Sequence, residues 1–412
     1  MQNKTDRKAL TYLLFAFLIS FTPIFTFSAK KSSPQTIHAR VLEQEKLGEQ
    51  FMKEERWAEA KKAYLQLTKL DPKNSSGWIL LGDAELEMKE FPLAKEDYQE
   101  AVLLSPNEPR ANAGLAKSYL LLGEREEALP YYKKSLETNP EDLSLNEAIG
   151  NLLLDLKHSK EALPYLEKAR KLDPHNVAVL QNLGFLYYEG QDYEKSVEVY
   201  QETIKLLPEN ASLYANLGAA LSNAGKTKEA IDALEKGIKL DPKNAAAHST
   251  LGWSYLKEKN FAEAISSFQN ALLLFQSAPA SPDPLAYAYL GLGIAFIHAG
   301  NQKEGLNALL KASSVASENT TILLSLAETY ENSRMIDKAI PAYQKVASLD
   351  PSLAEPHEQL GNLYYHKSDY AKAKQEWESA LSLYEKQNNH AKADKVRGYL
   401  RILDPNMTPE GG

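Results

Sequence analysis

The 412-residue chain contains no cysteine. That absence excludes disulfides, thiolate nucleophiles, thiolate-bound zinc and a lipid-modified cysteine. Phosphate-cradling glycine loops, the nucleophile elbow and the dinucleotide fingerprint are missing too, so the usual motifs for phosphoryl, acyl and hydride transfer are not there. Charge of one sign does not accumulate. Lys and Arg total 47 against 55 Asp and Glu, interspersed, for a net charge of −8. Without a basic stripe interleaved with aromatics there is little to hold phosphates, and nucleic acid is not an expected partner. The eight histidines (His38, His158, His175, His248, His298, His357, His366, His390) are scattered, with no second histidine one turn away. Neither a metal nor any other cofactor is expected, nor a catalytic residue. Acidic pairs such as Glu126–Glu127 precede helical segments, where negative charge favours the helix dipole.

What the chain does have is a period. Ten 34-residue units run from Val41 to Gln387. Counting Leu81–Gly82 as positions 7 and 8, steps of 34 reach Leu115–Ala116, Ile149–Gly150, Leu183–Gly184, Leu217–Gly218 and Leu251–Gly252, and one step back reaches Leu47–Gly48. After a seven-residue slip the phase resumes at Leu292–Gly293, Leu326–Ala327 and Leu360–Gly361. Position 20 is small (Ala60, Ala94, Ala128, Ala162, Ser196, Ala230, Ala264, Gly305, Ala339, Ala373) and position 24 is aromatic or leucine, from Tyr64 to Trp377. Proline stands at position 32 as Pro72, Pro106, Pro140, Pro174, Pro208, Pro242 and Pro351.

Within each unit, apolar residues at three- and four-residue spacing predict two amphipathic helices, A and B. Small residues at 8 and 20 allow the two axes to approach, position 24 fills the space beside the crossing, and the proline at position 32 helps end helix B. One pair cannot bury its apolar faces alone, so neighbours must stack. Spacing and residue pattern resemble the tetratricopeptide repeat over about 85 per cent of the chain. That resemblance implies an all-α solenoid, a right-handed superhelix of helix–turn–helix units. Val396, Tyr399, Leu400 and Leu403 form one apolar stripe, as a terminal capping helix needs. The expected organisation is a targeting segment over 1–28, a linker over 29–40, repeats 1–7 over 41–278, a proline-rich insertion over 279–285, repeats 8–10 over 286–387, a capping helix over 388–403 and a tail over 404–412.

At the N-terminus, Lys4, Arg7 and Lys8 precede the apolar run Leu10 to Phe27. This is the order of a secretory signal, with cleavage expected after Ser28 or Ala29. Pro23 limits the uninterrupted part to Leu10–Thr22, about 20 Å as a helix, short of a hydrocarbon core of about 30 Å. A retained membrane anchor formed by residues 10–27 is the alternative, and membrane contact would then be confined to that segment. Either way the repeats are expected outside the cytoplasm, in the periplasm or cell envelope.

The resemblance also implies a concave groove lined by helix A positions 2, 5, 9, 12 and 13. Applied here, it gives an acidic stretch in the first repeats (Glu45, Glu49, Asp83, Glu87, Glu147, with Arg110 and Lys117 as exceptions). An apolar stretch follows, made by Phe185, Tyr188, Trp253, Leu256, Tyr287, Leu290, Ile294 and Ile297, then a polar end that includes Glu328, Asn332 and Glu358. Asn151 and Asn362 join the candidates, because similar asparagines hold peptide backbone in the repeats of protein O-linked N-acetylglucosamine transferases. No repeat carries the lysine at position 5 that the chaperone-binding carboxylate clamp requires, so a chaperone C-terminus is not an expected ligand. The expected function is a non-enzymatic protein-interaction scaffold of the cell envelope holding an extended or helical peptide. An accessory subunit of an envelope polysaccharide or cell-wall enzyme is the rival reading.

Overall fold

The structure is a computed structural model that describes residues 34–277 and 282–403. The expected targeting segment, the tail and part of the expected insertion lie outside the described residues. Among the described residues there are 21 α-helices and no strand. None of these helices is long and apolar enough to cross a membrane.

Two compact units divide the chain, the first ending at Thr138 and the second starting at Asn139. The first holds repeats 1 to 3, as the A/B pairs Pro34–Lys53 and Trp57–Leu70, Ser75–Glu87 and Phe91–Leu104, and Pro109–Leu121 and Arg125–Thr138. In the second, repeats 4 to 6 are Leu143–Asp155 and Ser159–Leu172, Val177–Glu189 and Tyr193–Leu206, and Ala211–Asn223 and Thr227–Leu240. Repeats 7 and 8 are Ala245–Lys257 with Phe261–Ser277, and Pro282–His298 with Gln302–Val315. Repeats 9 and 10 are Thr320–Asn332 with Ile336–Leu349, and Ala354–His366 with Tyr370–Lys386, and the cap is His390–Leu403.

Each boundary has a cause in the sequence. In repeats 2, 4, 5, 7 and 9 helix A begins after a side chain that accepts a backbone amide of its first turn: Asn74 from Ser76, Asp142 from Leu145, Asn176 from Val179, Asn244 from Ala247 and Asn319 from Ile322; Leu353, before helix A of repeat 10, makes no such bond. Such a cap satisfies one of the amides that the helix leaves free. Every A–B turn contains one left-handed residue at position 15, a glycine only at Gly123, Gly225 and Gly300. The amide after it returns five residues, as in Glu90 to Glu85 and Asp192 to Tyr187, and closes helix A. Helix B stops two residues before the proline of position 32 wherever that proline is present. Repeats 7 and 10 lack it, and their helix B runs to 17 residues. Repeat 8 lacks it too but keeps a helix B of 14 residues.

Position 24 sits directly on the glycine at position 8. A Cβ built on Gly184 would lie 2.7 Å from Tyr200 Cε1, and one on Gly252 would lie 2.8 Å from Phe268 Cε1. The alanines at position 20 are fully buried, and Ser196 in that place donates to the Gly184 carbonyl at 2.8 Å. In the cap, Ala393, Val396 and Leu400 are buried, and Lys395 reaches the buried Glu358 at 2.9 Å.

Two expectations need correction. The linker expected over 29–40 is already helical from Pro34. The insertion expected over 279–285 is helical from Pro282, because proline at the start of a helix gives up only an amide that has no partner there.

Candidate functional site

Helix A of repeats 7, 8 and 9 builds the site. Trp253 and Leu256 lie one turn apart and so share a face, as do Ile294 and Ile297 on the next helix A. Trp253, Leu256 and Ile294 line one open cleft of 660 Å³ together with Lys257, Lys259, Phe261 and His298. Ile294, Ile297 and His298 also line a narrower recess of 220 Å³, whose far wall is Ser325, Glu328 and Asn332 of repeat 9.

The apolar wall is held from behind. Trp253 is half-buried and meets the buried Phe268 edge to face at 5.4 Å and 81°. Phe261, the first residue of helix B, stacks on the His298 ring at 5.4 Å and 14°. Lys257 donates to the Ser222 carbonyl at 2.8 Å and its hydroxyl at 3.2 Å, so its charge lies at the last turn of the preceding helix A. What remains is a firm apolar seat with polar edges, the kind of surface that accepts an aromatic or aliphatic side chain.

The other candidates are placed differently. Leu290 is 2% exposed and packs with Leu309, Ile322 and Leu326, so its expected place in the groove is corrected to the core. Tyr287 is exposed, and its hydroxyl accepts from Asn319, the cap of the next helix A, at 3.3 Å. Phe185 is exposed in repeat 5; Tyr188 is half-buried there, and its hydroxyl accepts from Asn223 at 2.9 Å. Asn151 accepts from Asn182 at 2.7 Å, while Asn362 accepts from the Trp377 indole at 3.1 Å. Both asparagines are therefore tied to other side chains of their own unit.

Within the first unit the acidic stretch carries internal compensation. Asp83 pairs with Arg110 at 2.8 Å and accepts the Tyr98 hydroxyl. Burial pushes the Tyr64 phenol up to about 12, helped by the Glu49, Asp83 and Glu45 carboxylates and opposed by Arg110.

Sequence reasoning missed Phe261 and the wall that His298 makes. A signal existed, since position 17 is aromatic in Trp57, Phe91, Tyr193, Phe261 and Tyr370. Position 4 was missed as well. There Trp78, Asn112, Asn146 and Tyr214 donate to the carbonyls of Pro72, Pro106, Pro140 and Pro208, and His248 meets that of Pro242 at 3.0 Å.

Models of the tetratricopeptide repeat match residues 46–109, 79–142, 153–221, 216–284 and 320–353, well over half of the chain in all. Among solved structures, the C-terminal part of a repeat-containing protein from Cytophaga hutchinsonii is 18% identical, covers 58% of this chain and 98% of its own, and has a TM-score of 0.45. MamA from residue 41 to its end, from Desulfovibrio magneticus RS-1, is 23% identical over 42% of this chain and 97% of its own, with a TM-score of 0.39. YrrB, a repeat protein with an unusual peptide-binding site, is 23% identical over 49% of this chain and 99% of its own, with a TM-score of 0.40. No curated protein matches this chain.

Proposed function

Because the chain belongs to the tetratricopeptide repeat family, we propose that it is a non-enzymatic protein-interaction scaffold that seats a segment of a partner protein on helix A of repeats 7 and 8. The observation that carries this reading is the cleft in which Trp253, Leu256 and Ile294 converge. A large ring backed by a buried one is pre-ordered for contact, and such anchors carry much of the energy of an interface. Trp253→Ala should weaken binding of a partner recovered from the native source by about 2 kcal/mol or more. Lys236→Ala, whose ammonium lies over the Tyr214 ring, should change it little. Unaltered binding in Trp253→Ala would remove the cleft as the seat. Lost protection of repeat 7 in hydrogen exchange would instead make the ring a core element.

The proposal also places the repeats outside the cytoplasm, in the cell envelope. Its support is the order of basic residues, the apolar run Leu10–Phe27 and small residues near the N-terminus. Expressed in a secreting host, the chain should mature to begin at Ala29 or Lys30. Recovery of intact Met1 in membranes would leave the anchor, and a soluble full-length cytoplasmic chain would reject both.

A further inference from the structure

The seat on repeats 7 and 8 continues into the recess beside repeat 9, where Ile294, Ile297 and His298 face Ser325, Glu328 and Asn332. Carboxylates of repeats 9 and 10 differ in their company. Glu358 has Lys395 at 2.9 Å, Asp337 has Lys367 at 2.8 Å and Glu376 has His357 at 2.6 Å. Among the described residues Glu328 has no such partner. Loss of solvent, then the Glu355 and Glu331 carboxylates, hold its carboxyl above its ordinary range, and no cation among the described residues offsets them. Glu331 accepts only a neutral donor, the Tyr343 hydroxyl at 2.7 Å. Like charges around a partly desolvated recess disfavour one another in the free protein, and an entering cation relieves them.

We propose, resting on the reading of the cleft as the docking seat, that its occupant is an extended polypeptide segment with an aromatic or aliphatic anchor beside a lysine or arginine. The anchor lies against Trp253, Leu256 and Ile294, and the cation enters the recess that Glu328 lines. Spacing follows from geometry. Adjacent packed helices lie about 8–10 Å apart and an extended chain advances about 3.3 Å per residue. The cation therefore falls about three residues from a side chain seated on Ile294, and about six from one seated on Trp253. An acidic segment is rejected by the same carboxylates.

The test is selection of binders from a random twelve-residue peptide library on the full-length protein. Fluorescence polarisation of the recovered peptides follows, on the wild type, Glu328→Gln/Glu355→Gln and Trp253→Ala. Recovered peptides should be enriched in lysine or arginine at these spacings. The double variant should bind them about tenfold more weakly and with most of the salt dependence gone, and Trp253→Ala should weaken them too. Exchanging the basic residues of a recovered peptide for glutamate should cost at least about tenfold on the unmodified protein, independently of how the variants fold. Binders with no excess of basic residues, or binding that falls with Trp253→Ala but not with the double variant or the exchanged peptide, would keep the cleft and overturn the cationic occupant. No binders at all, or binding indifferent to every change, would overturn both.

Discussion

Gly291→Ala and Gly398→Ala make the same chemical change in two helices of one unit, and the structure assigns them opposite signs. Gly291 lies against Phe268, whose ring is fully buried. A Cβ there would fall against Cζ, 2.5 Å from Cε1 and 2.8 Å from Cε2. The ring has no room to retreat, because a Cβ on Gly252, on the helix A of its own repeat, would itself be 2.8 Å from Cε1 and 2.9 Å from Cζ. Trp253 closes another side at 5.4 Å. Overpacking a sealed core typically costs about 1–3 kcal/mol. Alanine returns about 1 kcal/mol as the better helix former. With the ring held between two helices the upper part of the range applies, and the net effect should be a loss of about 1–2 kcal/mol. Gly398, on the cap helix, has nothing among the described residues within 4 Å of a built Cβ. Its replacement should stabilise by about 0.5–1 kcal/mol.

A long repeat array does not have to unfold in one step, so a single midpoint would blur the comparison. Hydrogen exchange resolved by repeat is the suitable assay. Gly291→Ala should lower protection in repeats 7 and 8 first, and Phe268→Leu in that background should return part of it. If Gly291→Ala raises protection as Gly398→Ala does, Phe268 is not confined between the two glycines and the packing argument fails.

Two further outcomes follow from buried charge. Burial first, then the Glu85 carboxylate, push Asp97 from 3.8 up to about 8, against the opposing effect of Lys61. A raised folded-state value means that the stability tied to this proton is full below about pH 4, declines as pH rises toward 8 and is gone above it. Protection of repeats 1 and 2 should fall accordingly between about pH 4 and pH 8, and Asp97→Asn should flatten the profile; a profile unchanged by that substitution refutes the assignment. Lys395→Ala should fray the cap by about 1–3 kcal/mol, since it leaves Glu358, 3% exposed, with only the Tyr384 hydroxyl at 2.7 Å. Equal protection of Val396 and Leu400 in the variant would show that apolar packing alone holds the helix.

The fold was legible because its key contact is one-to-one. Position 24 rests on position 8 of the same repeat, so a 34-residue recurrence of glycine and of aromatic or leucine already encodes the A–B crossing. The caps were equally legible in principle, since Asn74, Asn176, Asn210 and Asn244 stand two residues after Pro72, Pro174, Pro208 and Pro242. The start of repeat 8 was less so. Proline normally signals a stop, and Pro282 and Pro284 instead occupy a first turn, where their missing amides have no cost.

The site was only half legible, and the reason lies at position 5. Ile79, Leu290 and Glu358 all hold that position and are all buried. Ile79 packs with Ala111 and Leu115 of the following repeat, Leu290 with Ile322 and Leu326 of the following repeat, and Glu358 bonds to Lys395 of the cap. Position 5 therefore faces whatever stacks next on helix A, and its exposure depends on a neighbour that its own repeat does not specify. Position 9 is one residue past the glycine and meets the edge of the position-24 side chain, as Asp83 does with Tyr98, Trp253 with Phe268 and Asn362 with Trp377. It is buried in no repeat, from Glu49 and Asp83 to Phe185, Trp253, Ile294 and Glu328. One helix turn thus carries a residue that the next repeat can bury and a residue that stays at least partly exposed in every repeat. The chemistry at position 9, apolar in repeats 7 and 8 and acidic in repeat 9, is accordingly what gives the cleft its direction.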